Sequence, residues 1–347
     1  MNHKRSPLRL FSLVAGAVTL ALTSNASGQD LKYGAPIPAV HRTMFDKGLD
    51  YLKGSQRKDG GWAGSAGVTG ICVMALLASG EDPNFGRYAE NIRMGVRSII
   101  RRQDGDTGFI QTGMYEHGFA MLTLADCYGA VDERMLWLGE DDKGRSIAEA
   151  LELAVRCAVT SQENNPTKAW RYSPDSTDAD TSAAGAVLMG LLGARNAGVA
   201  VPDSSIDGAV EYFVSQTMRT GNVNYSGFGG MGDSHARSAI CALVLAIAKR
   251  QDLESYKAVQ EYLSKTWDAT PWNHPAYTLY YRSQALFQVQ YEIWRKWTQE
   301  NTVLLAELQN EDGSIPIKGA SSGLEFQTGM ALLSAGLNYC LLPIYER

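Results

Sequence analysis

The side chains able to do chemistry in this chain are few, and they recur at one kind of place. Asp178 and Asp180 flank Ala179 just ahead of Thr181 and a long apolar stretch. Aspartate and threonine at such a junction are favoured helix caps. A carboxyl held there could instead donate a proton, provided burial raised its pKa. Other apolar stretches open in the same way: on Thr69, on Glu116 and His117, on His235 and Arg237, on Tyr280, Tyr281 and Arg282, and on Glu325 and Gln327. Arginines and histidines gathered beside acids are the participants a polysaccharide lyase or hydrolase needs, the cations holding uronate carboxylates. No nucleophile elbow, phosphate loop or HExxH helix is present, and neither a metal nor a cofactor is expected. Gly227 to Gly232 has the spacing GxGxxG but follows no strand, so it reads as a loop, either a lid or plain surface.

A second group is aromatic: Trp267, Trp272, Tyr277, Tyr280, Tyr281 and Phe287. Such faces attract cations or stack on sugars, and at helical spacing they equally fill a core. Tyr277 and Tyr281, one turn apart, are the pair expected to face a cavity.

The elements that must position these residues repeat. Gln56-Arg57-Lys58-Asp59-Gly60-Gly61-Trp62 has weaker copies in Gln103 leading to Gly108-Phe109, Gln162 to Trp170, Gln216 to Tyr225, and Gln309 to Gly313-Ser314-Ile315. A degenerate unit near Tyr262-Leu263 keeps Trp267 and lacks the glutamine. A period of about 45 to 60 residues is that of stacked helical hairpins. Ahead of each turn, apolar residues keep one-sided helical spacing, as in Phe45, Leu49 and Leu52 or Ile206, Val210 and Phe213. After each turn comes a run apolar nearly all round and rich in small residues, such as Gly70 to Leu77 or Ala184 to Met189. The first kind predicts outer helices and the second predicts buried inner ones, so six pairs close into a ring with every inner helix starting at one mouth. Unpaired N–H groups at that mouth favour anions or hydrogen-bond acceptors.

The basic residue and glycine at 47 and 48, the aromatic and aliphatic positions after them, and the QxxxGxW spacing resemble the QW repeat of squalene and oxidosqualene cyclases and of protein prenyltransferase β subunits. That resemblance spans roughly residues 41 to 345 and implies a single all-α, α/α toroid. Asp178-Ala179-Asp180-Thr181-Ser182-Ala183 is similar to the DxDDTA motif from which squalene–hopene cyclases protonate substrate, with Ala179 in place of the central aspartate. Leu124-Ala125-Asp126-Cys127-Tyr128 is similar to the zinc-binding region of prenyltransferase β subunits. There one residue separates the two ligands, whereas here they are adjacent and diverge by about 100° on a helix.

Residues 1 to 28 join Lys4, Arg5 and Arg9 to the apolar run from Phe11 to Leu22 and to Ala26-Ser27-Gly28. They read as a cleaved secretory signal, with an uncleaved anchor as the alternative, followed by a leader at 29–40 and the toroid at 41–347. The product is then periplasmic or secreted, with no transmembrane span in the mature chain. A formal charge of −5, more acidic once the leader is lost, argues against nucleic acid as a partner. Five widely spaced cysteines predict buried free thiols.

The function expected is binding of an apolar, isoprenoid-like ligand or a partner protein at the mouth, without the family's intact catalytic motifs. The alternatives are a terpenoid cyclase using Asp178 or Asp180, and a polysaccharide lyase or hydrolase acting on a glycan. Ligand contacts are expected from Glu116, His117, His235, Arg237, Tyr277, Tyr281, Arg282 and Glu325. The lining of the cavity discriminates: apolar for a lipid, polar and aromatic for a glycan, filled for a scaffold.

Overall fold

The computed structural model describes residues 37–140, 144–227, 234–268, 274–339 and 342. The signal-like segment, Trp272, Cys340 and most of the glycine-rich loop lie outside the described residues. Among those described there are thirteen helices and only isolated β-bridges. Six are outer helices: α1 (Ala39–Ser55), α3 (Ala89–Arg101), α6 (Ile147–Asn164), α8 (Asp203–Gln216), α10 (Glu254–Thr266) and α12 (Tyr291–Leu308). They alternate with six inner ones: α2 (Ala66–Leu77), α4 (Met114–Cys127), α7 (Thr181–Asn196), α9 (His235–Ile247), α11 (Pro275–Val289) and α13 (Leu324–Gly336). The short α5 (Glu133–Leu136) lies between α4 and α6.

The inner helices pack in order, α2 on α4, α4 on α7, α7 on α9, α9 on α11 and α11 on α13, and α13 returns to α2. The architecture is therefore a closed α/α toroid. Composition explains the two layers. In α7 nearly every residue from Thr181 to Ala194 is buried, whereas α1 buries Phe45, Leu49 and Leu52 and leaves Asp50 and Lys53 to solvent. Small residues let the inner helices approach closely. A Cβ on Gly118 of α4 would lie 2.4 Å from the Ala186 carbonyl carbon of α7, which no side chain tolerates.

The repeated turn is a clasp between neighbouring units. Gln56 Nε2 donates to the Gly60 carbonyl of its own turn at 2.8 Å and to the Asn91 carbonyl of α3 at 2.9 Å. Gln103 joins Gly108 to Ala150 of α6, Gln162 joins Lys168 to Ser205 of α8, and Gln309 joins Gly313 to Met44 of α1. The last of these closes the ring. The turn glycine seats directly on the next outer helix: at Gly313, with φ +90, a Cβ would stand 2.2 Å from the Lys47 carbonyl oxygen. In the third unit Lys168 occupies this slot with φ +56, and Gly208 of α8 supplies the missing room on the facing helix.

The indoles of Trp62 and Trp170 are fully buried and donate to Leu52 and Ala158 carbonyls of their own outer helices. The sequence points to Phe109 and Tyr225 as the aromatic members of the second and fourth turns. In the structure Ile110 and Val223 take the buried slot instead, because the β-bridges Gln103–Ile110 and Thr217–Val223 set the register. Cys72, Cys127, Cys157 and Cys241 are buried free thiols, as their spacing led us to expect. Among the described residues no helix is long and apolar enough to cross a membrane.

Candidate functional site

The starts of five inner helices surround a cavity of about 960 Å³ at one mouth of the toroid. Its lining includes Tyr115 of α4, Ser182 of α7, Ser234 and Arg237 at the start of α9, His274 and Tyr277 at the start of α11, and Phe326 of α13, together with Tyr172, Tyr225, Ser321 and Ser322 from the connecting turns. Four tyrosines and several hydroxyls make this lining both aromatic and polar.

The helix starts are shaped by their own caps. Ser234 Oγ accepts from the Arg237 N–H and Asp180 Oδ1 accepts from the N–H groups of Ser182 and Ala183. Asp180 is wholly inaccessible to solvent; burial raises its carboxyl, partly opposed by those two backbone bonds. Asp178 is exposed and ion-paired with Arg171, whose guanidinium lies 5.4 Å from the Tyr172 ring centre and 5.8 Å from that of Tyr225. The two tyrosine hydroxyls are hydrogen-bonded to each other, so Arg171, Tyr172 and Tyr225 form one stacked wall. Thr181 Oγ1 accompanies them by donating to the Tyr225 carbonyl at 2.8 Å.

The floor is an aromatic cluster. Tyr277 packs 4.7 Å from Tyr281, which packs 4.8 Å from Tyr280, and Tyr115 bridges Tyr277 to Phe119. Burial drives the Tyr115, Tyr277 and Tyr281 hydroxyls well above the ordinary tyrosine range, so they act as neutral donors and acceptors. Arg237 is held in place by its Nε bond to the Val223 carbonyl at 2.8 Å.

Of the residues singled out in the sequence, Arg237 and Tyr277 line the cavity, with Tyr281 immediately beneath. His117 is buried in the wall: its Nδ1 accepts from the Ile110 N–H, and Nε2 lies 3.0 Å from the Ala154 carbonyl. Thr69 and Thr328 make the corresponding bonds to Trp62 N and Ile315 N, so His117 is that repeat position's variant. Burial lowers it to about pKa 4. Arg282 is fully buried, which lowers even its guanidinium to about 10. His235 stacks on Tyr262, the Glu116 backbone packs against Gly67 of α2, and the Glu325 carbonyl accepts from the Cys72 thiol. Asp126 and Cys127 lie buried at the far end of α4, where burial pushes the Asp126 carboxyl up to about 8 and the thiol higher than usual. Among the described residues no three histidines, cysteines or acids come together to hold a metal.

Tyr172 and Tyr225 were not singled out as a pair, although a signal exists. Each lies two residues beyond the buried slot of its turn, after Trp170 and Val223, where a side chain clears the helix and reaches the mouth.

No protein-family model and no curated relative matches the chain. Solved structures do. The GH76A α-1,6-mannanase of Salegentibacter sp. HEL1_6 matches with a TM-score of 0.63 at 10% identity, over 86% of this chain and 99% of that one. An inactive variant of that enzyme, in complex with α-1,6-mannotriose, matches at 0.62 and 9% over 87% and 99%. The type II terpene cyclase MstE of Scytonema, in complex with geranylgeranyl dihydroxybenzoate, matches at 0.57 and 14% over 87% and 98%. At these identities the likeness is one of fold: the chain shares the α/α toroid with glycoside hydrolases and with a terpene cyclase.

Proposed function

We propose that this toroid binds a carbohydrate chain at its mouth, with Tyr172, Tyr225, Tyr277 and Arg237 as the principal contacts. The observation that carries this reading is the cavity lining, in which four tyrosines stand among serines and an arginine. Sugars present apolar C–H faces edged by hydroxyls, and rings carrying hydrogen-bonding groups answer both. An isoprenoid ligand, one of the occupants the sequence alone favoured, would displace water from those serine and tyrosine hydroxyls and offer no hydrogen bond in exchange, and each polar group left short of a partner costs about 1–3 kcal/mol. A mannanase of the same fold takes α-1,6-mannotriose. In this reading Asp180 serves as the cap of α7 and Asp178 as the anchor of Arg171, and neither is assigned as a catalytic acid.

The leader-like residues 1–28 fit export, so the glycan would be met in the periplasm or outside the cell. The glutamine clasps fit descent from the squalene cyclase and prenyltransferase superfamily, with residues 41–347 as its toroid.

The test is calorimetry against neutral and uronate-containing oligosaccharides, with a polyprenyl alcohol as the competing probe. Binding of an oligosaccharide, weakened about tenfold by Tyr172→Ala, is the expected result. Binding of the polyprenyl alcohol with no response to any glycan would overturn it. Release of new reducing or unsaturated ends, lost in Arg237→Ala, would extend the reading from binding to cleavage.

A further inference from the structure

A second concavity lies outside the ring, at the seam between the fifth and sixth units. It measures about 870 Å³ and is bounded by Trp267 beyond α10, Leu279 of α11, and Trp297, Leu304 and Leu308 along α12. From Trp297 to Leu308 it follows about 16 Å of helix at 1.5 Å per residue, or three turns. Leu304 is 54% exposed and Leu308 37%, an unusual state for leucines on one helical stripe. At four of the other five seams a turn glutamine bonds the next outer helix, at Gln56, Gln103, Gln162 and Gln309, while Gln216 of the fourth unit reaches its neighbour Ser215. The fifth unit carries no glutamine there, and the groove occupies that seam.

The rim is predominantly acidic. Asp268, Glu300 and Glu307 line the groove beside Lys318, and Lys296 lies at its edge, 4.6 Å from the Trp267 ring centre. Glu300 and Glu307 stand seven residues apart on α12, two turns along the same face as Leu304. An apolar trough of three turns with an acidic rim is complementary to a short helix carrying aliphatic anchors at i, i+3 or i+4, and i+7, flanked by lysine or arginine. The geometry points to this groove as a docking site for a basic amphipathic helix of a partner protein. Pro275 and Gly319 border both the groove and the mouth cavity, so a docked helix would lie beside the candidate glycan site.

The probe is a fluorescein-labelled helical peptide of about 14 residues with leucine anchors and lysine flanks, beside a twin carrying glutamate flanks. Fluorescence anisotropy on the full chain should show the lysine peptide bound about tenfold more tightly than the glutamate twin. Leu304→Glu, at an exposed position that leaves the core intact, should cut that affinity about tenfold. Glu300→Lys combined with Glu307→Lys should invert the preference between the two peptides. Tyr172→Ala should leave peptide binding unchanged, which separates failure here from failure of the glycan reading. Equal affinity for the two peptides, or insensitivity to both groove variants, overturns the proposal. So does a dimer in sedimentation that Leu304→Glu dissolves, since the groove's occupant would then be a second copy of this chain.

Discussion

The first and fifth seams of the ring perform the same task with different parts. At the first, Gln56 bonds both its own turn and α3, the Gly60 backbone rests on Met94, and the Trp62 indole is buried beneath. At the fifth there is no glutamine, Trp267 is only partly buried with Lys296 4.6 Å from its ring centre, and an open groove remains. The far end of that seam is nonetheless tied, by Gln290 to Ser264 and by Gln260 to the Val289 carbonyl. A clasped seam spends its polar groups on closure. The unclasped fifth seam keeps apolar surface available for something else.

If the clasps rather than general packing hold the ring, the largest effect should come where the ring closes. Gly313→Ala forces a Cβ onto the Lys47 carbonyl at a positive φ and should cost about 3 kcal/mol or more in urea denaturation. A loss below about 1 kcal/mol would mean that closure does not depend on this contact.

Gln56→Ala removes two bonds to carbonyls and should cost about 1–3 kcal/mol, whereas Gln216→Ala, whose amide reaches only the adjacent Ser215 of α8 among the described residues, should cost about half a kcal/mol. Equal losses from the two variants would break the contrast between clasped and unclasped seams.

The second seam should respond to acid in a way that the first does not. His117 replaces Thr69 as acceptor of the turn N–H, and burial lowers its pKa from 6.5 to about 4. Between those values the unfolded chain binds the proton and the folded chain refuses it. Stability from this group is therefore complete above pH 6.5 and is lost as pH falls toward 4, by at most about 1.4 kcal/mol per unit. His41, buried near Thr302 and likewise lowered to about 4, contributes a second slope of the same sign. His117→Thr should remove one of the two, read as a shallower fall of the denaturation midpoint from pH 7 to pH 4.5. An unchanged profile would mean that His117 is not held neutral.

A small effect of the opposite sign is expected at the third seam. Lys168→Gly relieves a positive φ at the slot where other units carry glycine, and should stabilise by about 0.5–1 kcal/mol after allowing for glycine's greater freedom when unfolded. A destabilised variant would show that the lysine stem's packing on Gly208 outweighs the strain.

Most of the ring was legible because two independent patterns agree. One-sided helices such as α3 alternate with helices apolar all round such as α7, and a recurring glutamine and glycine mark four of the six junctions. The register inside the turns was less legible, since Phe109 and Tyr225 look like better partners for a tryptophan slot than Ile110 and Val223. Only the β-bridge of each turn decides between them. At the mouth, Arg237 was legible from its place at a helix start and Tyr277 from its spacing one turn from Tyr281, although α11 begins at Pro275 and not near Tyr280; Tyr172 and Tyr225 gained meaning only beside Arg171. His117 and Arg282 also lie in the first half of inner helices, yet both are fully buried.

By itself the sequence determined a closed toroid of paired helices and the mouth at which its polar residues gather. Which of those residues face the cavity was decided by tertiary structure. An inner helix is covered on every side, so no hydrophobic period distinguishes the face toward the lumen from the faces toward its neighbours. The rotation of each helix is set by contacts such as Gly118 on Ala186 and Gly185 on Ile240, which form only when the ring is assembled.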